Sequence, residues 1–177
     1  EGGPVNFSTL AFFNFLLIFL ACFFLLRRLV CERILLLAGS WIFYGVWSPG
    51  FLALLVGATL LGHMAGLAIG SHPGDKSHGR RWVIATSVIL LGNLTFFKYL
   101  PLEGVALPLA ISFYTFEILS YVVDVHKGRV EARRSFTDTA LFISFFPHLV
   151  AGPILRAADF FRQLPARIYA IILCEIF

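Results

Sequence analysis

Long apolar stretches separated by short polar connections make up most of this sequence. Five of them predict helices that span a membrane or nearly do so: residues 10–26, 34–47, 51–69, 82–99 and 107–125. Crossing the hydrocarbon core of a bilayer takes about 20 residues of helix, so the second stretch is short for a span. The pattern therefore predicts an all-α, polytopic membrane protein with about five transmembrane helices.

A sixth apolar stretch, residues 141–155, is interrupted by residues that a membrane helix does not favour. Pro147 and His148 are adjacent within it, and Gly152 and Pro153 follow. Proline removes a backbone donor, and hydrocarbon does not tolerate unpaired backbone groups. Such a segment persists only where protein buries it or where it lines a wet cavity. We therefore expect an interrupted or re-entrant sixth segment, with residues 147–156 as the first candidate site.

The composition agrees with a membrane protein and argues against other classes. Of the 177 residues, 59% are hydrophobic and 14% are charged, which leaves too little polar surface to cover a soluble globule. The net charge of +4 comes from Lys and Arg between the apolar stretches, so it does not indicate nucleic-acid binding. Cys22, Cys31 and Cys174 are too isolated to predict a zinc site or a disulfide framework.

Basic residues follow every second apolar stretch, as the positive-inside rule requires. They are Arg27, Arg28 and Arg33 after the first stretch, Lys76, Arg80 and Arg81 after the third, and Lys127, Arg129, Arg133 and Arg134 after the fifth. This alternation predicts three cytoplasmic loops and an extracytoplasmic N-terminus. On the same basis, we expect Trp41, Tyr44, Trp47 and Tyr99 to form an aromatic belt at the outer interface.

The fifth stretch contains two carboxylates and several hydroxyl groups. Glu117 and Asp124 are separated by two helical turns and share one helix face. A charge at the bilayer centre costs at least about 2.5 kcal/mol, so we expect Glu117 to face the interior of the bundle. Asp124 lies near the helix end, where an interfacial ion pair is expected. Small and hydroxylated side chains favour close packing and hydrogen bonds between helices, which is the expected role of Ser112, Tyr114, Thr115 and Ser120.

Glycines of the third stretch have a spacing typical of close helix packing. Gly62, Gly66 and Gly70 recur at every fourth position and predict a seam for another helix. We expect this contact to lie within the chain rather than between two copies. His63 adjoins the seam and is interpreted as a packing histidine whose ring is satisfied by a neighbour.

Four blocks of the chain resemble the membrane-bound O-acyltransferase family, in its bacterial alginate O-acetyltransferase branch. Residues 107–125 read LPLAISFYTFEILSYVVDV and residues 142–156 read FISFFPHLVAGPILR, and each is similar to a block of that family. Residues 40–47 and 93–99 resemble two further blocks. His148 and Glu117 stand where the branch usually has Gln. The resemblance covers roughly residues 10–164 and leaves residues 165–177 unassigned.

The resemblance implies a single transmembrane domain over residues 1–177 that is the N-terminal portion of a longer acyltransferase. The apolar run 168–177 is too short to span a bilayer, which also predicts a fragment. The catalytic His of the family lies further along its chains. We therefore expect an incomplete catalytic unit in these residues.

The implied activity is transfer of an acyl group, acetyl in this branch, to an extracytoplasmic polysaccharide, as in alginate biosynthesis, or to a cell-wall glycan. The implied donor is a thioester such as acetyl-CoA, with no bound cofactor and no metal. The implied partners are the lipid bilayer, the acyl donor and an extracytoplasmic acetyltransferase protein, without nucleic acid. The implied location is the bacterial inner membrane, which the chain crosses several times.

The candidate cavity-lining residues are Pro147, His148, Gly152, Pro153, Arg156, Glu117, Tyr114 and Ser112. His148 either handles a proton beside an acyl-transfer tunnel or pairs with a backbone carbonyl that Pro147 leaves open. Arg156 either attracts an anionic acyl donor or forms a local ion pair with Asp159. Two other functions stay open: a transporter or channel subunit, and a non-catalytic assembly module that uses the glycine seam.

Overall fold

The computed structural model describes residues 10–26, 32–99, 110–145 and 156–163. These residues form seven helices and no strand. The helices are α1 (Leu10–Leu26), α2 (Glu32–Trp47), α3 (Pro49–Gly70), α4 (Lys76–Tyr99), α5 (Ile111–His126), α6 (Phe136–Ser144) and α7 (Ala157–Gln163). The predicted all-α class is confirmed for the described part of the chain.

The helices α2 and α3 follow each other with a single residue between them. Ser48 occupies this position with an extended backbone, and its side chain accepts a hydrogen bond from the Phe51 amide at 3.5 Å. Pro49 follows, at a helix position where no backbone donor is needed. The loop between the two helices is therefore a single residue, and short loops of this kind join helices that are neighbours in the fold.

The start of α4 differs from the sequence prediction, in which the fourth stretch begins at residue 82. The helix begins at Lys76 because the Asp75 carboxylate accepts hydrogen bonds from the backbone amides of Ser77 and His78, both at 2.9 Å. This is an N-cap, which satisfies helix donors that have no partner within the helix. A polar first turn carries no apolar pattern, so the prediction missed it.

The helix α5 lies at the centre of the described structure. It packs against α3, α4, α6 and α7, and nine of its residues are buried. The helices α2 and α3 both pack against α6, and α1 packs against α2 at the edge. This arrangement places the short helix α6 among α2, α3 and α5, with α7 close by.

The glycine seam of α3 is occupied by residues of the same chain, as the sequence predicted. A Cβ atom at Gly62 would lie 2.5 Å from Ile118, and one at Gly66 would lie 2.7 Å from the Tyr121 ring. A Cβ at Gly70 would lie 2.5 Å from Ala132. These distances are too short for any side chain, so the glycines allow α3 to approach α5 and the loop that follows it.

Two of the described helices, α3 and α4, are long and apolar enough to cross a membrane, with mean hydropathies of 2.0 and 1.3 over their most apolar windows. The helices α1, α2 and α5 have 17, 16 and 16 residues in the described structure, fewer than the roughly 20 that a span needs. The outer face of α4 is apolar and exposed, as Ile84, Val88 and Ile89 show. Membrane insertion fits these features, and the count of five spans stays a prediction.

Several helix ends with basic residues meet at one end of the bundle, which we call the basic end. Arg33, near the start of α2, forms an ion pair with Asp138 near the start of α6 at 2.8 Å. A cleft at the same end is bounded by the end of α3, the start of α4 and the end of α5. The predicted alternation of basic loops therefore has a structural counterpart, with loops 71–75 and 127–135 at this end.

Candidate functional site

The interrupted sixth segment is present as a helix that ends early. The helix α6 stops at Ser144, and Phe145 has an extended backbone with φ −65° and ψ 110°. Pro147, His148, Gly152 and Pro153 lie outside the described residues, so their predicted roles stay predictions. The described helix therefore ends ahead of Pro147, within the stretch 141–155 where the sequence predicted an interruption.

Contacts with three other helices hold the first turn of α6. The Asp138 carboxylate accepts from the Arg33 guanidinium of α2 at 2.8 Å, and the Thr139 hydroxyl is 3.1 Å from Nδ1 of His63 on α3. The Thr139 side chain is also hydrogen-bonded to Tyr121 of α5. The helix ends at Ser144, five residues after Thr139. The short helix α6 is therefore held between the longer helices by contacts of its first turn.

The histidine of this anchor matches its prediction. His63 is buried, with only 6% of its surface exposed, and its ring meets the Phe136 ring edge-on at 5.4 Å between centroids. Together with the Thr139 contact, this gives the imidazole a hydrogen-bond partner and a packed face. The interpretation of His63 as a satisfied packing residue is confirmed.

The polar side chains of α5 face the interior of the bundle or lie near the end of the helix, as the cost of exposing a charge to hydrocarbon predicts for the two carboxylates. Glu117 and Tyr114 are completely buried, so both face the interior of the bundle, and Ser112 is half-buried. Asp124 pairs with Arg129 at 3.3 Å near the end of the helix, which confirms the expected ion pair. The structure brings Tyr114 and Glu117 onto one buried side of α5, one turn apart.

Five buried polar groups on α2, α5 and α6 have no hydrogen-bond partner among the described residues. They are the Tyr44 hydroxyl and the Trp41 indole nitrogen of α2, the Tyr114 and Thr115 hydroxyls of α5, and the Ser144 hydroxyl of α6. A buried donor without a partner costs about 1–3 kcal/mol, so such groups call for an explanation. We name these five residues the inner polar residues.

Two of the inner polar residues correct the sequence prediction. Trp41 and Tyr44 were expected in an outer aromatic belt, but Tyr44 is 1% exposed and the Trp41 ring packs against Phe136 of α6. Tyr99 alone of the belt residues with a described side chain is strongly exposed. The belt prediction used only the position of each aromatic along the helix. The rotation of α2 that turns Trp41 and Tyr44 inward is set by the packing of α6, which the local sequence does not reveal.

The predicted residue Arg156 lies on a cleft of about 490 Å³ beside the end of α5. This cleft is lined by Ser120, Val123, Asp124, Arg129, Arg156, Ala158 and Asp159. The local ion pair that the sequence suggested between Arg156 and Asp159 is not formed within residues 156–163. Two guanidinium groups and two carboxylates therefore share this cleft, which can accept an anionic group only against the opposing charge of Asp124 and Asp159.

The helix α7 is fixed to the core by aromatic contacts. Its Phe160 and Phe161 rings lie 5.3 and 5.4 Å from the Phe142 ring of α6. Phe161 also contacts the Tyr121 ring at 5.9 Å, and the Arg133 guanidinium stacks over it at 4.5 Å. These contacts bring the chain after the interruption back to the side of α6 and to the end of α5.

Comparison with known proteins finds O-acetyltransferases. The chain is 35% identical to the probable alginate O-acetylase AlgI of Pseudomonas syringae pv. tomato, over 93% of this chain and 35% of that protein. It is 36% identical to the protein of the same name from Pseudomonas aeruginosa, over 89% and 34%. It is 28% identical to the peptidoglycan O-acetyltransferase of Helicobacter pylori, over 74% and 32%.

The chain spans about a third of the length of these relatives. No protein-family model matches it, and no solved structure matches it.

Proposed function

Because the chain is homologous over most of its length to the alginate O-acetylases, the branch of the membrane-bound O-acyltransferase family that its blocks resemble, we propose that it forms part of a membrane enzyme that transfers acetyl groups to a polysaccharide. The observation that carries this proposal is that relatives with two different acceptors share one reaction type. One relative is named an alginate O-acetylase and another a peptidoglycan O-acetyltransferase. Both names describe O-acetylation of a glycan polymer, so the chemistry is better supported than the acceptor.

In the proposed reaction a sugar hydroxyl oxygen attacks the carbonyl carbon of an acetyl thioester. A C–O bond forms, the C–S bond breaks, the hydroxyl proton passes to a base, and the thiol leaves. The proposed donor is acetyl-CoA, and the base is assigned to the part of the relatives' length that this chain does not span. The site must hold both substrates and exclude bulk water, which would hydrolyse the thioester.

The inner polar residues are proposed to line the in-membrane cavity of this enzyme. Tyr44, Tyr114 and Ser144 come from α2, α5 and α6, and α6 packs against both of the other helices. Their hydroxyls have no partner in the described part of the chain. Hydroxyl donors in a buried site can hydrogen-bond a substrate carbonyl or sugar hydroxyl. This role supplies a reason for groups that are otherwise costly to bury.

We also propose that residues 136–163 are re-entrant and that the basic end faces the cytoplasm. The helix α6 starts beside Arg33, and the chain after the interruption lies beside Asp124 and Arg129, at the same end of the bundle. The proposed orientation has an extracytoplasmic N-terminus in the bacterial inner membrane, and the positive-inside rule supports it. The proposed partner is an extracytoplasmic acetyltransferase, which would act in the same acetylation on the outer side of the membrane.

A chimeric enzyme tests the proposed activity. The segment of the Pseudomonas aeruginosa relative that matches this chain is replaced by residues 10–164, and the chimera is expressed in a strain that lacks that relative. The chimera is expected to restore acetyl groups on the secreted alginate, measured as ester acetyl per uronic acid. The 177-residue chain expressed alone is expected to restore none, because it is proposed to lack the base.

A variant of the same chimera tests the cavity lining. It carries Tyr114→Phe and Tyr44→Phe, which remove two inner hydroxyls at nearly constant side-chain volume, and it is compared with the unmodified chimera. If these residues line the cavity, acetylation should fall on the order of tenfold, since a hydrogen bond lost from a transition state costs about 1–3 kcal/mol. A chimera that inserts and folds but acetylates nothing would contradict the proposal. Full acetylation by the isolated chain would contradict the assignment of the base.

A further inference from the structure

A second cleft, separate from the inner polar residues, opens at the basic end. Its volume is about 530 Å³, which lies within the roughly 300–1,000 Å³ range of small-ligand sites. Its walls are the end of α3 with loop 71–75, the first turn of α4, and the end of α5 with its following loop. Glycines bring these walls together, because Gly79 lies directly against His126.

The rim of this cleft is basic. Lys76 and Arg134 line it and are exposed, and His72 and His126 also line it. The Lys ammonium and the Arg guanidinium are hydrogen-bond donors that suit phosphate oxygens. The rim therefore presents donors for an anion from two different segments of the chain.

Two carboxylates, Asp75 and Glu131, also line the cleft, and that of Asp75 is hydrogen-bonded to the first turn of α4. The Asp75 carboxylate accepts from the His78 and Ser77 amides at 2.9 Å and from the Ser77 hydroxyl at 2.7 Å. The His78 hydrogen bond, followed by that of the Ser77 side chain, holds the pKa of Asp75 below its usual value. Its charge is directed at the start of α4, which leaves Glu131 as the carboxylate that opposes an anion among the lining residues.

The floor of the cleft is apolar. Ile69, Val125 and Val130 line it and are 5%, 7% and 8% exposed. A site with a basic rim and an apolar floor matches a ligand that carries a phosphate next to a hydrocarbon portion. Basic clefts between membrane helices near the cytoplasmic surface are suited to the phosphates of anionic lipids.

We propose that this cleft, rimmed by Lys76 and Arg134, binds the phosphate group of an anionic ligand. The phosphate can come from a phospholipid headgroup or from a soluble carrier such as coenzyme A. The apolar floor favours the lipid. The site is distinct from the inner polar residues, and it holds whether or not the chain takes part in acetyl transfer.

Lipid retention in nanodiscs tests this site. The full chain is reconstituted in an equimolar mixture of phosphatidylglycerol and phosphatidylcholine, and the lipid that remains bound after release is measured by native mass spectrometry. Wild-type protein is expected to retain phosphatidylglycerol. The double variant Lys76→Gln/Arg134→Gln is expected to retain about 25-fold less, since each Lys or Arg near a surface contributes about a factor of five.

The matched control is Arg80→Gln/Arg81→Gln, which removes two exposed charges of α4 that do not line the cleft. It should retain phosphatidylglycerol like the wild type. Glu131→Gln removes the opposing carboxylate and should increase retention. Coenzyme A is then added at rising concentration: displacement of the lipid identifies a soluble phosphate carrier as a ligand of the same site, and no displacement identifies the headgroup.

Either result of the coenzyme A arm supports a phosphate site. Equal retention of both lipids by the wild type would overturn the proposal. Equal losses in the two double variants would also overturn it, because they would show a general effect of charge rather than a site at the cleft.

Discussion

Gly66→Leu is expected to destabilise the fold by about 3 kcal/mol or more, in the range that overpacking and the loss of a buried hydrogen bond produce together. A Cβ atom at Gly66 would lie 2.7 Å from Cε1 and 2.8 Å from the hydroxyl oxygen of Tyr121. These ring atoms cannot move away easily, because Tyr121 is fully buried and its hydroxyl accepts from the Arg133 amide at 3.1 Å. The larger side chain must therefore separate α3 from α5.

The chain offers a control on the same helix. A Cβ atom at Gly57 would meet no atom of the described residues within 4 Å, and Gly57 is exposed. Gly57→Leu should therefore leave stability unchanged or raise it through helix propensity. Both variants are compared with the wild type by heating in detergent and following loss of the monodisperse peak in size-exclusion chromatography. A Gly66→Leu protein as heat-stable as Gly57→Leu would show that the α3–α5 contact is wrong.

The same pair of variants separates two explanations of the glycine seam. If the seam served assembly with another copy or partner, Gly66→Leu would change the oligomeric state and leave the fold intact. If it serves internal packing, folding is lost first. The contacts of Gly62 with Ile118 and of Gly66 with Tyr121 predict the second outcome.

Arg33→Gln is expected to cost about 2 kcal/mol of folding free energy, because it leaves the Asp138 carboxylate buried without its cation. The ion pair is 2.8 Å long, and the side chains of Arg33 and Asp138 are 35% and 10% exposed. Breaking a fully buried pair costs about 3–5 kcal/mol, and the partial exposure of the arginine reduces this. The pair also joins α2 to the first turn of α6, so its loss should loosen the interrupted segment.

A second Arg–Asp pair provides the comparison. Arg129 and Asp124 are 3.3 Å apart, and the Arg129 side chain is 62% exposed, so Arg129→Gln should cost less than about 1 kcal/mol. Unfolding by SDS in mixed micelles gives the free energy of each variant. The double variant Arg33→Gln/Asp138→Asn should be more stable than the sum of its single changes predicts. Equal costs for Arg33→Gln and Arg129→Gln would mean that the α2–α6 contact contributes no more than a surface pair.

Much of the fold could be predicted from the spacing of apolar residues. Residues 10–26 and 51–69 read as helices, and α1 and α3 include them. The break before Pro147 followed from proline chemistry, and the inward orientation of Glu117 followed from the cost of a charge in hydrocarbon. These features depend on local composition, which a single sequence contains in full.

The remaining features depend on partners that are distant in the chain. Asp138 meets Arg33 across 105 residues, and no local pattern indicates such a pair. Trp41 and Tyr44 had the sequence positions of interfacial aromatics, but α6 turns them inward. Ser144 was read as part of an apolar stretch, although the end of α6 leaves its hydroxyl buried with no partner among the described residues. A serine inside an apolar stretch that prolines interrupt was the available signal.

Both flanks of the interrupted segment lie at the basic end of the bundle, and cysteine labelling tests this arrangement most directly. Ser135, Arg162 and Tyr99 are exposed, and each is replaced by cysteine in a chain whose own Cys22, Cys31 and Cys174 are changed to serine. An impermeant maleimide added to intact cells with a permeable outer membrane is expected to label the position-99 cysteine. The cysteines at positions 135 and 162 should react only after the inner membrane is opened. Labelling of positions 135 and 162 from opposite sides would contradict a re-entrant segment.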